Sequence, residues 1–164
     1  MKACVVFDTR YGNTETVARS FLAGLKEAGI EASCTNAKDA DVDSLRQYDL
    51  ICVGAPTEAF SASKPMKEFL GRLDSVGLSG KSSFAFDTKL NSRLSGSAAK
   101  FIEKELSGLG LQPLAPHESA IVFSLRERGA ITGARLKDGE DERFEKIGRQ
   151  VGMALAAKGR VVPA

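Results

Sequence analysis

The chain contains no tryptophan, one histidine, two tyrosines, three cysteines and five prolines among its 164 residues, and each shortage excludes something. A single histidine, His117, and no CxxC pair leave too few ligands for a zinc site, and no Ser-His-Asp or Cys-His set for nucleophilic catalysis is in view. His117 follows Pro116 in a connection before an apolar run, so it reads as a loop residue and not as a catalytic base. The odd number of cysteines, Cys4, Cys34 and Cys52, makes no disulfide framework, and in strand-like surroundings they read as buried free thiols. No apolar run is long enough to cross a membrane, and the start "MKACVVFDTR" is broken by Asp8 too early for a secretory signal. The expectation is a cytoplasmic protein with no membrane association. A net charge of +2 gives no reason to expect a nucleic-acid partner.

What is present suffices for a core. Apolar residues make up 43% of the chain, with no linker, repeat or low-complexity segment, so residues 1–164 read as one domain. Lys2–Phe7, Asp49–Gly54, Ser82–Thr88 and Ser119–Leu125 are near-continuous apolar runs, the pattern of parallel strands covered on both faces. A weaker strand, "GIEASCTN", starts at Gly29. Between these runs apolar residues recur at helical spacing: Val17, Phe21 and Leu25; Met66, Phe69, Leu70 and Leu73; Leu94, Ala98, Phe101, Ile102 and Leu109; Phe144, Ile147, Val151 and Leu155. A short helix fits Val42–Tyr48. Five strands alternating with five helices predict a three-layer α/β domain with right-handed crossovers, whose ligands bind beyond the carboxyl ends of the strands.

The stretch at that end of the first strand carries the chemistry. The strand stops near Asp8 and a helix must begin close to Thr14, so "TRYGNT", Thr9 to Thr14, is a tight loop over a helix N-terminus. There the first backbone N–H groups lack partners within the helix and the helix dipole favours an anion. Gly12 permits positive φ or a close backbone approach, and Thr9, Asn13 and Thr14 add short side-chain donors. The set suits a phosphate monoester. It also suits a plain helix cap by Asn13 or Thr14, although one cap needs only one such residue. Several phosphate users are excluded by spacing. There is no GxxxxGK[ST], and Gly108-Leu109-Gly110 is followed by Gln112-Pro113 without a third glycine, so neither a P-loop nor a dinucleotide fingerprint is present. Cys4 and Arg10 have the separation of a phosphatase thiolate and its arginine, but the intervening "VVFDT" is strand. A phosphoryl-accepting receiver needs an acidic pair after the first strand and an Asp after the third, where this chain has Asp8 alone and then Gly54-Ala55-Pro56.

Val5 to Ala18 resembles the FMN-phosphate signature of the flavodoxin family: two apolar residues, an aromatic, Thr9, Gly12, Thr14 and Ala18 at the family's spacing, with Phe21 standing where a smaller aliphatic is usual. The resemblance continues through "GAPTEAF", "KPMKEFL" and "LKDGEDERFEKIGRQVGMAL". It implies a doubly wound, five-stranded parallel sheet of order 2-1-3-4-5 with FMN as cofactor. It further implies that Thr9, Arg10, Tyr11, Gly12, Asn13 and Thr14 hold the ribityl phosphate, with Arg10 either a phosphate ligand or a solvent-facing charge. Pro56, Thr57, Glu58, Ala59 and Phe60 then lie along the ring, where Phe60 either stacks on one face or serves as an apolar plug. Asp87, Thr88, Lys89, Leu90 and Asn91 reach the pyrimidine edge through backbone N–H groups. No residue is expected to be catalytic by itself and no metal is expected, since the flavin carries the chemistry. A Glu58 or Asp87 carboxylate near the ring lowers its reduction potential.

Two features depart from the electron carriers of the family. The third loop, "FDTKLNSRLSG", lacks the tyrosine that usually covers the outer ring face, so Tyr11 or Leu90 substitutes, or the face stays open. Ser61–Lys100 holds seven basic residues against three acidic ones, which favours an acidic redox partner or a phosphorylated reductant such as NADPH. Three readings follow: an FMN electron carrier between proteins, which is favoured; an FMN-dependent NAD(P)H oxidoreductase of quinone type; and a flavin-free interaction module. The chain lacks the long insertion of dimeric reductases, and a monomer is expected.

Overall fold

Apolar strands of this kind need cover on both faces, and the computed structural model, which describes residues 1–161, supplies it with helices on either side of one sheet. In chain order the elements are β1 (Lys2–Phe7), α1 (Asn13–Glu27), β2 (Glu31–Asn36), a 3-10 turn (Asp43–Gln47), β3 (Leu50–Glu58), β4 (Ser61–Ala62), α2 (Lys64–Gly71), β5 (Ser82–Leu90), α3 (Ala98–Gly108), β6 (Gln112–Pro113), β7 (Glu118–Glu127), β8 (Ala130–Leu136) and α4 (Glu140–Arg160). The main path of the sheet runs β2-β1-β3-β5-β7-β8, with β4 paired to β3 and β6 to β5. The five expected strands are β1, β2, β3, β5 and β7, all parallel and in the order 2-1-3-4-5. The sheet has one long strand more than expected: β8 returns antiparallel along β7 and forms the edge. Residues 162–164 of the expected domain lie outside the described residues.

Three of the boundaries that differ from the sequence expectation matter at the strand ends. β3 continues past Gly54 to Glu58 and β5 past Thr88 to Leu90, so both carry their pairing up to the ligand-binding end of the sheet. The helix expected from Leu94 begins at Ala98, because Ser97 caps it by accepting from the Lys100 amide at 3.1 Å. Leu94 is left in the preceding loop, 81% exposed.

Alternation along the strands divides the core. One layer, with α2 and α3, buries Val6, Ile51, Val53, Met66, Phe69 and Ile102; the other, with α1 and α4, buries Val5, Phe21, Phe84, Phe86, Phe144 and Val151. Phe21, the departure from the family signature, stacks on Phe84 with centroids 4.9 Å apart and lies 6.0 Å from Phe86. The Phe86 ring of this group has room because Gly54 has no side chain: a Cβ on it would overlap that ring. Helices α1 and α4 approach through Gly24, Gly148 and Gly152, where a Cβ on Gly148 would run into the Phe21 carbonyl. All three cysteines are free, with Cys4 and Cys52 buried and Cys34 half-buried. Burial pushes the Cys4 and Cys34 thiols up to about 11 and Cys52 well above the ordinary thiol range.

Candidate functional site

Beyond the carboxyl ends of β1, β3, β5 and β7 the loops surround an open cleft. Its first wall is the β1–α1 loop, which contributes Thr9, Arg10, Tyr11, Asn13 and Thr14. Thr9 Oγ1 accepts from the Gly12 amide at 3.0 Å and tightens the turn. Gly12 is the N-cap of α1 at φ 86, and no side chain caps the helix. A Cβ on Gly12 would touch nothing, so glycine is required here by backbone conformation and not by space. The plain-cap reading of Asn13 and Thr14 therefore does not describe this helix. Its first-turn amides are left for a ligand, with the helix dipole behind them.

The side chains of Asn13 and Thr14 have other engagements. Thr14 is buried, and its Oγ1 lies 2.8 Å from Thr88 Oγ1, which ties the loop to the end of β5. With one hydrogen and two lone pairs, the Thr14 hydroxyl can accept from Thr88 and still donate to an anion. Asn13 Nδ2 donates to the Ala134 carbonyl of β8 at 2.8 Å, so the expected phosphate donor is turned toward the edge hairpin. Arg10 is exposed; its guanidinium lies 5.3 Å over the Tyr11 ring and 3.9 Å from the Glu58 carboxylate, bridging the first and second loops at the mouth.

In the second loop Pro56, Thr57 and Glu58 line the cleft as the last residues of β3. The chain then reverses through Ala59 (φ 46) and Phe60 (φ 70) into β4, with Glu58 paired to Ser61. Two positive φ values in a two-residue hairpin turn normally call for Asn-Gly, and holding Ala and Phe there costs about 1–3 kcal/mol each. Gly96 braces the turn: a Cβ on it would lie 2.5 Å from the Phe60 Cα. Phe60 is consequently carried out of the cleft. It is 71% exposed and lines a separate groove with Lys100, Phe101 and Lys104, while Ala59 does not reach the cleft.

The third loop divides in the same way. Thr88, Lys89 and Leu90 line the cleft, whereas Asn91 is exposed outside it. Asp87 is fully buried beside the N-terminus of α3, where its Oδ2 accepts from Ser97 Oγ (2.8 Å), the Ala99 amide (2.9 Å) and Thr57 Oγ1 (3.1 Å). Thr57 Oγ1 in turn accepts from the Ala98 amide at 3.0 Å. Asp87 thus anchors the second loop to the N-terminus of α3, where the dipole favours its charge, and it presents nothing to the cleft.

The fourth wall has no counterpart in the sequence expectation. Val122 and Ser124 of β7, with Ile131, Gly133 and Ala134 of β8, close the side of the cleft next to β5. Among the described residues no group of three or more His, Cys, Asp or Glu is placed to hold a metal, and no helix is long and apolar enough to cross a membrane.

The flavodoxin family model matches residues 5–147. By sequence, a flavodoxin of Clostridium saccharobutylicum is 26% identical over 154 residues, 92% of this chain and 95% of its own. An NAD(P)H dehydrogenase (quinone) of Rhizobium johnstonii is 27% identical over 144 residues, 76% of this chain and 71% of its own. Among solved structures, a flavodoxin from the domain Archaea superposes with a TM-score of 0.77 at 22% identity, over 95% of this chain and 99% of that one. The uncapped amides of α1, with the Thr9 and Thr14 hydroxyls beside them, form a donor set that fits the phosphate of FMN. The chain belongs to the flavodoxin family, whose members bind FMN and transfer electrons to redox partners.

Proposed function

We propose that this chain is a single-domain, monomeric electron carrier of the cytoplasm, whose cleft holds FMN and whose cleft face docks an acidic redox protein. The observation that carries the cofactor's orientation is the α1 N-terminus, capped by a left-handed Gly12 with no side chain across it. The phosphate rests on these amides and on the hydroxyls of Thr9 and Thr14. Pro56, Thr57 and Glu58 flank the ring on one side and Thr88, Lys89 and Leu90 on the other. Bound FMN supplies reversible one- and two-electron chemistry; the chain supplies placement, shielding from water and charge.

The surface around the cleft supports a protein partner. Of the ten exposed large hydrophobic residues among those described, seven stand at this end of the sheet: Tyr11, Phe60, Leu90, Leu94, Phe123, Leu125 and Ile131. Apolar side chains gathered at one end mark an interaction face. At the surface the same loops present Arg10, Lys89, Arg93, Arg126 and Arg128 against Glu58 and Glu127, with Asp8 buried: five cations to two anions on a chain whose whole charge is +2. A partner with an acidic rim is steered to such a face.

The test is stopped-flow reduction of the FMN-loaded protein by a reduced acidic iron–sulfur protein at several salt concentrations, beside NADPH alone. The carrier reading expects a protein-mediated rate that falls steeply with salt, and no turnover with NADPH. Rapid reduction by NADPH alone would instead establish the oxidoreductase reading. That second reading is favoured by one observation: among the described cleft-lining residues Tyr11 is the sole aromatic, so one ring face has no aromatic cover.

A further inference from the structure

We propose that the β7–β8 hairpin is a wall of the flavin-ring site and that Asn13 is the positioning residue that holds it there; this rests on the reading of the cleft as an FMN site. The last paired residues of β5 and β7 are Leu90 and Val122, yet β7 runs on to Glu127. From Phe123 onward the hairpin projects past the sheet, each strand paired only with the other. Phe123, Leu125 and Ile131 are half exposed, and the pairing slips by a bulge between Leu125 and Arg126. An isolated two-stranded ribbon is marginal in water and needs a third surface to settle on.

That surface is provided from 121 residues away. The hydrogen bond from Asn13 Nδ2 to the Ala134 carbonyl, at 2.8 Å and partly buried, joins the phosphate loop directly to β8. Asn13 is the first residue of α1, immediately after the Gly12 cap, so its backbone amide stays available to an anion while its side chain faces the hairpin. The wall so held has the chemistry of a ring contact and not of a phosphate contact. Val122 and Ile131 are apolar, Gly133 and Ala134 are small enough for close approach, and Ser124 offers a hydroxyl; no cation of the hairpin lines the cleft. Binding of the ring would therefore order the ribbon, and loosening the ribbon would weaken binding of the ring.

The test compares the parent, Asn13→Ala, Ile131→Ser and the double variant, each titrated with FMN and with riboflavin, which has the ring but no phosphate. Far-UV circular dichroism and urea midpoints check that each variant folds. Asn13→Ala should weaken FMN and riboflavin by the same factor, about two- to tenfold, the worth of one neutral hydrogen bond. In the FMN titrations alone, the double variant should lose less than the product of the two single losses, because both act through one wall. Trypsin supplies a readout without affinity: cleavage after Arg126 and Arg128 should be faster in Asn13→Ala and slowed in the parent by FMN. A loss confined to FMN would make Asn13 a phosphate ligand and overturn the proposal, as would single losses that simply multiply. Failure of the parent to bind FMN is a separate result, which would remove the cofactor reading itself.

Discussion

Replacing Thr14 by valine tests whether its hydroxyl has two tasks. Valine keeps the shape of threonine and nearly its helix propensity, so the substitution removes the hydroxyl and little else. Thr14 is 1% exposed and Thr88 4%, and their Oγ atoms are 2.8 Å apart. Thr14→Val leaves the Thr88 hydroxyl buried without this partner, at a cost of about 1–3 kcal/mol to the FMN-free protein. Thr88→Val should cost a similar amount. The double variant removes both hydroxyls while keeping the packing, so its loss should fall short of the sum by about 1–2 kcal/mol. In urea unfolding with an unchanged slope, each single substitution should lower the midpoint by roughly 0.5–1 M. Thr14→Val should further weaken FMN by about ten- to a hundredfold, the value of a hydrogen bond to a charged group, and should weaken riboflavin less. An FMN-free Thr14→Val protein as stable as the parent, or losses that add in the double variant, would refute the account of the pair. Equal weakening of FMN and riboflavin would show that the hydroxyl does not meet the phosphate.

Three other substitutions probe the fold and the cleft. Gly148→Ala places a methyl group against the Phe21 carbonyl at the α1–α4 crossing, so overpacking of about 1–3 kcal/mol should exceed the roughly 1 kcal/mol gained in helix propensity, and the urea midpoint should fall. A midpoint at or above the parent's would mean that the helices part freely. Glu58→Gln removes the carboxylate that lines the cleft, and by spectroelectrochemistry the reduction potential of bound FMN should rise by roughly tens of millivolts; an unchanged potential would place the ring away from Glu58. Cys4 and Cys34 are held by burial at about 11, above an ordinary thiol near 8.5, so folding favours their neutral form. That contribution is intact below about pH 8.5 and is lost as pH rises toward 11, so the urea midpoint should decline from pH 8.5 to 10.5 and decline less steeply in Cys4→Ala.

The sheet was legible because its evidence is local. β1, β3 and β5 are buried on both faces, and their unbroken apolar stretches, residues 3–7, 50–53 and 84–86, leave a strand signal that tertiary context does not disturb. β8 was illegible for the converse reason. Of its seven residues only Gly133 is buried, and "AITGARL" sits between charged turns, so no hydrophobic period marks it. The available signal was the Arg128-Gly129 pair, both at positive φ, between two runs of β-prone residues. The place of Phe60 outside the cleft was not legible, because it depends on a backbone turn that its own residue type disfavours, braced by Gly96 from another loop.

The same contrast separates what the cleft is from how it is held. "TRYGNT" advertises an anion site from sequence because a helix N-terminus is a local object, built from a glycine and the amides that follow it. What fixes the loops of the cleft in space is long-range: Thr14 to Thr88, Asn13 to Ala134, Arg10 to Glu58, and Asp87 to Thr57. Each of these bonds takes a polar side chain that could have served a ligand and uses it to join two loops. The amides are then left as the principal free donors, and no substitution short of proline removes them. A phosphate held largely by backbone therefore keeps most of its donors when a single side chain of its loop is changed, Thr14 being the costliest to lose, whereas ring contacts depend on loops and a hairpin that such changes can shift. By this argument, substitutions at Asn13 and Ile131 should separate ring binding from phosphate binding more cleanly than any change at Thr9 or Gly12.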